Sequence, residues 1–294
     1  MKAWVAIALT ASFTATVHAD PAAWTQAQKP FRIYGNTYYV GTMGLSAILI
    51  STSDGLVLID GTLPQNVPLI ETNIRALGFR VEDIKVILNT HPHGDHAGGI
   101  AALAGDSGAK VMASAKAAWA LEHGGDNPND PQYGMNAPYP KLTKVTVVQD
   151  GGTVTLGSQT LYMHAMPGHT PGGTGWTWRS CEQGRCLNMV YADSISLLSN
   201  KTYRYTDPTQ PERLAGYRTT IATLRQLPCD ILMVPHPDAI DFLGKLPQLQ
   251  PDKPNPWLDT NACRAYADQA QANLERRVKE EAAKPVANHK GANG

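Results

Sequence analysis

The sequence lacks an excess of charge of either sign, because 25 lysine and arginine residues are balanced by 25 aspartate and glutamate residues in a chain of 294. No long basic run occurs either. Nucleic acids and anionic membrane surfaces are usually bound through clustered lysine and arginine. We therefore expect neither nucleic acid nor a membrane as a partner.

Long hydrophobic runs are also missing beyond the N-terminus. Residues 1–19 contain one lysine, then an apolar stretch, then a small-residue ending at Ala19. This order is typical of a secretory signal peptide, although a buried first strand is the alternative. No other stretch approaches the length of a membrane span. We expect cleavage after Ala19 and export of a soluble protein.

Cysteine is scarce, but the number of cysteines, four, is even. Four cysteines allow three pairings. Cys181 and Cys186 flank the sequence EQGR, which is typical of a hairpin tip, so we pair them and assign Cys229 to Cys263. Free, buried cysteines are the alternative reading.

Strand and helix patterns alternate along the whole chain. Runs rich in β-branched and aromatic residues predict strands at 31–41, 46–52, 55–61, 84–90, 110–114, 144–149, 152–156, 160–166, 173–180, 186–192 and 230–236. Amphipathic patterns predict helices at 64–78, 115–124, 211–227 and 262–284. In each half, strands precede helices, and we assign the strands of 144–192 to the second half.

This order predicts an α/β fold in which two sheets pack together with helices outside. No internal linker is evident, so we expect one domain over residues 20–284, followed by a flexible tail at 285–294. Residues 124–141 are rich in glycine, proline and asparagine. A loop of that length suggests a function at the rim of a site.

The stretch NTHPHGDHAGG, residues 89–99, contains three histidines and an aspartate at the end of a strand that is predicted to be buried. In an extended segment His91 and His93 point to one side. Gly94 permits the chain to turn after them. His91 and His93 can then share one metal ion, while Asp95 and His96 face a neighbouring one.

Two further histidines complete the set of ligands. His169 in PGHTPGG and His236 in VPHP each follow a strand, where rigid scaffolds present ligands. Five histidines and one aspartate divide into two groups of three, the ligand number of a catalytic zinc with an open position. Of the other histidines, His18 is expected to leave with the signal peptide. The remaining three match no ligand pattern: His123, His164 and His289.

The motifs THPHGDHAGG, PGHTPGG, VYADS and VPHP, in this order, resemble the metallo-β-lactamase superfamily over roughly residues 30–284. The chain is most similar to the third subclass of class B β-lactamases. Ser194 stands where the first subclass has a zinc-binding cysteine, and the subclass shares the Cys229–Cys263 disulfide. Some members also have the short Cys181–Cys186 loop. The resemblance implies a four-layer αβ/βα sandwich.

The resemblance also implies two zinc ions and the hydrolysis of β-lactam amides. A metal-bound hydroxide is the expected nucleophile, with no covalent enzyme intermediate, and Asp95 takes or orients its proton. The implied ligands are His91, His93 and His169 for the first zinc, and Asp95, His96 and His236 for the second.

Substrate contacts and departures from the pattern follow from the same resemblance. Ser194, Ser196 and Gln132 match positions that contact substrate in the family or in some relatives. Pro92 and Gly94 replace the alanine and the bulky aromatic residue that are more usual between the ligands. The departures affect the expected substrate preference more than the expected reaction.

Two other functions remain open. If Asp193 bridged the metals, the protein would resemble a glyoxalase-type thioesterase; a lactonase is a related alternative. A zinc-binding or zinc-storage protein could keep the ligands without turnover. The disulfides and the expected export favour a periplasmic β-lactamase, and we expect a monomer.

Overall fold

The computed structural model describes residues 21–283. The expected signal peptide, residues 1–19, and the expected tail, residues 285–294, lie outside them. Two β-sheets pack face to face, and helices cover both outer faces. The predicted four-layer arrangement is confirmed. Among the described residues, no helix is both long and apolar enough to span a bilayer.

The first sheet contains seven strands in chain order. They are β1 (Phe31–Tyr34), β2 (Thr37–Tyr39), β3 (Ile48–Thr52), β4 (Gly55–Ile59), β5 (Ile84–Leu88), β6 (Lys110–Ala113) and β7 (Thr146–Val147). Its helices are α1 (Val67–Ala76), α2 (Gly94–Ala97), α3 (Ile100–Ser107) and α4 (Ala115–Glu122). Strands β1 to β4 pair antiparallel, whereas β4 to β7 run parallel.

The second sheet has five strands in the order β12, β11, β10, β9, β8. They are β8 (Thr153–Leu156), β9 (Gln159–Ala165), β10 (Thr174–Glu182), β11 (Arg185–Tyr191) and β12 (Ile231–Met233). The helices α5 (Pro211–Gln226) and α6 (Ala262–Ala282) pack on its outer face.

Alternation along the strands sorts side chains between the layers. In β3, Ile48 and Ile50 join the core between the sheets, while Leu49 joins the core under the outer helices. In β11, Met189 faces the inner core and Val190 faces α5 and α6. Because both faces of these strands are buried, they appear in the sequence as nearly continuous apolar runs.

The strand predicted at 144–149 was assigned to the wrong half. Only Thr146 and Val147 form a strand, and they pair with β6 at the edge of the first sheet. Val145 is buried in the outer core of that sheet and Val148 in the core between the sheets. The segment therefore passes from one layer to the next, and its apolar residues do not mark one strand.

Two disulfides fix the second half, and they are the pairs expected from the sequence. Cys181 and Cys186 face each other across the tip of the β10–β11 hairpin. Cys229, just before β12, is bonded to Cys263 in the first turn of α6, at a sequence separation of 34. Closing a loop of that length stabilises the folded state by about 4 kcal/mol in the chain-entropy description.

A buried carboxylate near the end of α6 anchors the long connection before α5. Glu281 accepts hydrogen bonds from the backbone N–H of Tyr205 (3.0 Å) and Thr206 (2.9 Å), the Thr206 hydroxyl (2.7 Å) and Arg277 Nε (2.7 Å). Burial acts to raise the pKa of Glu281, but these hydrogen bonds outweigh it and hold the pKa below its ordinary value.

We predict that Glu281→Gln lowers the free energy of unfolding at pH 7 by about 1.5–3 kcal/mol, because charge-assisted hydrogen bonds are lost. Since the folded-state pKa is depressed, the carboxylate stabilises the fold above its ordinary pKa and loses this effect as pH falls through the folded value. The difference from wild type should therefore shrink under acid conditions.

Urea unfolding followed by circular dichroism at several pH values measures this difference. Glu280→Gln is the matched control, since Glu280 is half-exposed and its contact with Arg276 is 3.9 Å long. We expect that control to lie within about 0.5 kcal/mol of wild type. Equal effects of the two substitutions would contradict the role of Glu281.

Candidate metal centre

The expected metal ligands lie where strands of both sheets end. His91 follows β5, His169 follows β9 and His236 follows β12. Strands β9, β11 and β12 run in one direction, since β10 is antiparallel to β9 and β11 and β12 is parallel to β11. Their carboxyl ends therefore meet at one edge of the sandwich, the usual position of sites in such sheets.

The motif loop turns after His93, as the sequence predicts. His93 is extended and immediately precedes α2, a single turn that carries Asp95 and His96. This turn packs tightly on the segment after β4, where Gly61 N–H donates to the His96 carbonyl (2.8 Å). A Cβ atom at Gly99 would lie 2.3 Å from the Gly61 carbonyl oxygen, so this close approach needs glycine.

The first group consists of His91, His93 and His169, all buried. One ring nitrogen from each can be chosen so that the three atoms lie within 4.8 Å of one another. The rings are nearly perpendicular, with centroids 4.6 to 4.9 Å apart. This arrangement directs three imidazole nitrogens to a common point.

Each ring of this group is held through its other nitrogen. His91 Nδ1 is 2.7 Å from Asp193 Oδ1, His93 Nε2 is 3.0 Å from Asp130 Oδ1, and His169 Nδ1 is 2.9 Å from the Ser196 carbonyl oxygen. Such contacts fix the tautomer and the orientation of a ligating histidine. They leave Nε2 of His91, Nδ1 of His93 and Nε2 of His169 to face the shared point.

Asp193 thus lies behind His91. Besides the His91 ring, its Oδ1 accepts the Ser194 backbone N–H at 2.8 Å. Its Oδ2 points toward Gly173, where a Cβ atom would lie 2.2 Å away. This geometry gives Asp193 the position of an orienting residue and argues against a bridging one.

The second group consists of Asp95, His96 and His236. Asp95 Oδ2 is 3.0 Å from His96 Nε2 and 3.3 Å from His236 Nε2, and the two nitrogens are 3.1 Å apart. The ligand atoms of Asp95 and His96 also lie within 4.8 Å of that of His91. The two groups are therefore adjacent.

Protonation states favour cation binding by these side chains. Burial lowers the pKa of His169 to about 3, and burial together with neighbouring rings lowers that of His91 well below its ordinary value. Burial opposes ionisation of Asp95, but His96 and His236 outweigh it and lower its pKa. Neutral imidazoles and an ionised carboxylate are the forms that bind metals.

A divalent metal fits this set of donors. His91 Nε2 is buried and has no hydrogen-bond partner among the described residues, a costly arrangement unless a ligand satisfies it. Burial acts to lower the pKa of His236, but the Asp95 carboxylate outweighs it and raises the pKa. The same carboxylate would attract a divalent cation in place of that proton. Imidazole and carboxylate are ligands of zinc.

The sequence-based reading missed a buried carboxylate that ties the motif loop to both sheets. Asp60 accepts hydrogen bonds from Thr90 N–H (2.8 Å), Thr90 Oγ1 (2.7 Å), Asn89 Nδ2 (3.0 Å) and Tyr191 Oη (3.0 Å). Its place at the end of β4, beside β5, was the available signal. Asp130, in a loop, offered no comparable signal.

A cavity of about 710 Å³ opens over the two groups. All three expected substrate contacts line it, together with four of the expected metal ligands: Ser194, Ser196, Gln132, His93, Asp95, His169 and His236. Trp24 also lines it and packs against the His236 ring, with centroids 5.5 Å apart. The sequence analysis did not identify Trp24, because its position depends on how the N-terminal segment folds back.

Comparisons with solved structures cover nearly the whole described chain. The Rm3 metallo-beta-lactamase is 46% identical, with a TM-score of 0.86 over 89% of this chain and 97% of that one. MEM-A1, a subclass B3 metallo-beta-lactamase from a soil metagenome library, is 43% identical, with a TM-score of 0.86 over 89% and 100%. BJP-1, a subclass B3 enzyme of Bradyrhizobium japonicum, is 33% identical, with a TM-score of 0.82 over 89% and 97%.

Curated relatives match a shorter region. A metal-dependent hydrolase of Rhizobium johnstonii is 34% identical over 121 residues, which are 40% of this chain and 42% of that protein. A hydroxyacylglutathione hydrolase of Anaeromyxobacter dehalogenans is 35% identical over 101 residues, 34% of this chain and 30% of that protein. The chain thus matches less than half the length of these two relatives.

The sequence profile of the metallo-beta-lactamase superfamily matches residues 40–181, which include β5, the motif loop and most of β10. The similarity to solved structures extends this match over the second sheet and its helices. With 46% identity to a metallo-beta-lactamase of which it covers 97%, the chain belongs to the metallo-β-lactamase superfamily, and its structural relatives include subclass B3 enzymes.

Proposed function

We propose that the protein hydrolyses the amide bond of β-lactams with the help of two zinc ions. The observation that carries this proposal is the pair of adjacent groups, His91, His93 and His169 beside Asp95, His96 and His236. Four of these six side chains line one cavity: His93, Asp95, His169 and His236. The full-length similarity to subclass B3 metallo-β-lactamases supports the substrate class.

In this proposal, His91, His93 and His169 hold one zinc, and Asp95, His96 and His236 hold the other. Zinc bound here would polarise the lactam carbonyl and lower the pKa of water to near neutrality. The side chains contribute by fixing the ligand positions. Asp193, Asp130 and the Ser196 carbonyl keep three imidazoles oriented, so little reorganisation is needed when a substrate arrives.

Asp95 is the proposed catalytic carboxylate. Its Oδ2 contacts His96 and His236, while its Oδ1 makes no hydrogen bond or ion pair with the described residues. Because Asp95 lines the cavity, Oδ1 is free to orient the attacking water and accept its proton. No serine or cysteine nucleophile is required, and we expect no covalent intermediate.

The substrate carboxylate is the proposed partner of Ser194, Ser196 and Gln132. Ser194 Oγ and the side-chain amide of Gln132 make no hydrogen bond to the described residues, although both residues line the cavity and are more than nine-tenths buried. Such polar groups can bind an anionic substrate without first breaking a protein contact. Ser196 contributes differently, since its carbonyl also orients His169.

Two alternatives make different predictions. A thioesterase or lactonase would use the same ligands on another acyl bond, and the partial similarity to a hydroxyacylglutathione hydrolase is in its favour. The place of Asp193 behind His91 favours the β-lactamase reading. A zinc-binding or storage protein would bind metal without turnover.

We further propose that the protein is exported to the periplasm after cleavage at Ala19. We propose that it works there as a monomer on small molecules. Its two disulfides support an oxidising compartment.

We predict that elemental analysis of the loaded protein finds two zinc ions per chain and that a chelator abolishes cleavage of a chromogenic cephalosporin. His169→Ala should lose one zinc and most of the activity, because it removes one of three ligands. The control is His164→Gln, since His164 bonds Thr177 away from the cavity; it should keep both ions. Full activity without metal would refute the proposal.

The same preparations should be tested on a thioester and a lactone. Cleavage of either one with no action on the cephalosporin would select the alternative enzyme. Tight zinc binding with no turnover of any substrate would select the storage protein.

We predict that Ser194→Ala raises KM about tenfold while kcat changes by less than about threefold. Loss of a hydrogen bond made equally in the ground state and the transition state has this signature. Steady-state kinetics on the cephalosporin measures it. Ser158→Ala, an exposed serine outside the cavity, should leave both constants unchanged, and an unchanged KM in Ser194→Ala would contradict the assignment.

A further inference from the structure

Tyr139 is the anchor of the long loop at 124–141 and is nearly buried, with 8% of its surface exposed. Its backbone N–H donates to the Gly124 carbonyl at 3.3 Å, and Leu142 N–H donates to the Leu121 carbonyl at 3.1 Å. The two ends of the loop are therefore tied together beside α4. This closure presents the Tyr139 side chain to the motif loop.

The Tyr139 hydroxyl donates a buried hydrogen bond of 2.7 Å to the carbonyl oxygen of Pro92. Pro92 lies between the ligands His91 and His93. Proline has no N–H, so its carbonyl is the only hydrogen-bonding group that Pro92 offers. Without Tyr139, that buried acceptor would have no partner among the described residues.

The Tyr139 ring also occupies the space beside Gly94, the residue after His93. A Cβ atom built at Gly94 would lie 3.5 Å from Tyr139 Cδ1 and 3.5 Å from the Ala137 carbonyl oxygen. These are ordinary van der Waals distances, so Tyr139 and the Ala137 carbonyl fill the space next to position 94. A Cβ atom at Gly125 would lie 2.7 Å from Tyr139 Cε1, so Gly125 is needed for the ring to fit.

A second residue of the same loop, Asp130, contacts the His93 ring. Asp130 Oδ1 is 3.0 Å from His93 Nε2 and also accepts the Gln132 backbone N–H at 2.8 Å. The loop thus holds the His93 ring through Asp130 and the Pro92 carbonyl through Tyr139. These contacts fix both the position and the rotation of one imidazole.

We propose that Tyr139 is a positioning residue for the zinc held by His91, His93 and His169. Its hydroxyl fixes the backbone between two of these ligands, and its ring replaces the side chain that Gly94 lacks. Pro92 and Gly94, the two departures in the motif, therefore have one common partner in the loop. This inference rests on the proposed zinc site, and its test can fail separately from that site.

The test is a zinc titration of Tyr139→Phe, which removes the hydroxyl and keeps the ring. Zinc is removed from the protein and returned stepwise against a chromophoric chelator, so that each dissociation constant is measured. We expect one of the two steps to weaken by about tenfold, as is usual when a contact that orients a ligand is lost. The other step should change by less than about twofold, because Tyr139 makes no hydrogen bond or ring contact with Asp95, His96 or His236.

Tyr133→Phe is the matched control. Tyr133 belongs to the same loop, is 45% exposed, and its hydroxyl makes no hydrogen bond to the described residues. Both zinc constants should stay at their wild-type values in this variant. Circular dichroism and the melting temperature of each metal-free variant show whether it is folded.

The outcomes separate the possibilities. One weakened step in folded Tyr139→Phe, with Tyr133→Phe unchanged, supports the positioning role. Unchanged zinc constants in Tyr139→Phe, even with a lower melting temperature, give Tyr139 a structural role only and overturn the inference. If the wild-type protein itself binds no zinc, the proposed function fails first. A changed absorption spectrum of the cobalt-substituted Tyr139→Phe protein would be independent support.

Discussion

The candidate metal centre depends on one constraint: a buried imidazole presents one nitrogen to a metal in a fixed orientation when its other nitrogen is held. Asp193, Asp130 and the Ser196 carbonyl provide this for His91, His93 and His169. Burial keeps His91 and His169 neutral, which leaves a lone pair for a cation. Without the second contact, each ring could rotate, and the shared point between the three nitrogens would be lost.

The sandwich fold makes these contacts possible. The candidate ligands come from segments that follow strands in two sheets, so a joint between the sheets is needed near the site. Asp60 provides it by accepting hydrogen bonds from Thr90 of the motif loop and from Tyr191 of the second sheet. Trp176 of β10 adds another joint, because its Nε1–H donates to the Asn89 carbonyl at 3.1 Å. The motif loop therefore begins at residues whose positions these hydrogen bonds fix.

The loop at 124–141 contributes more than a rim to the cavity. It carries Gln132 on the cavity wall, Asp130 behind the His93 ring and Tyr139 against Pro92. One connection thus combines a side chain on the cavity wall with support of a candidate ligand. Changes in this loop would act on metal and substrate together, which distinguishes it from an ordinary surface loop.

The sequence alone predicted two packed sheets with helices outside, the cysteine pairs and the set of candidate ligands, and its resemblance to a known family implied the four-layer sandwich. Continuous apolar strands indicate burial on two faces, so the packed sheets can be predicted from the sequence. The spacing of His91, His93, Asp95 and His96 is local, so this ligand motif can be recognised in the same way. The edge pair Thr146–Val147 could not be assigned correctly, because two residues carry no pattern that selects a sheet.

Only the tertiary structure decided which residues support the ligands. Asp130 meets His93 across 37 residues, and Tyr139 meets Pro92 across 47. No local periodicity encodes such pairs, since they exist only when an irregular loop closes on itself and returns to the site. The sequence thus specified the chemistry of the candidate centre, while the folding of one loop against the sheet edge decided how its imidazoles are held.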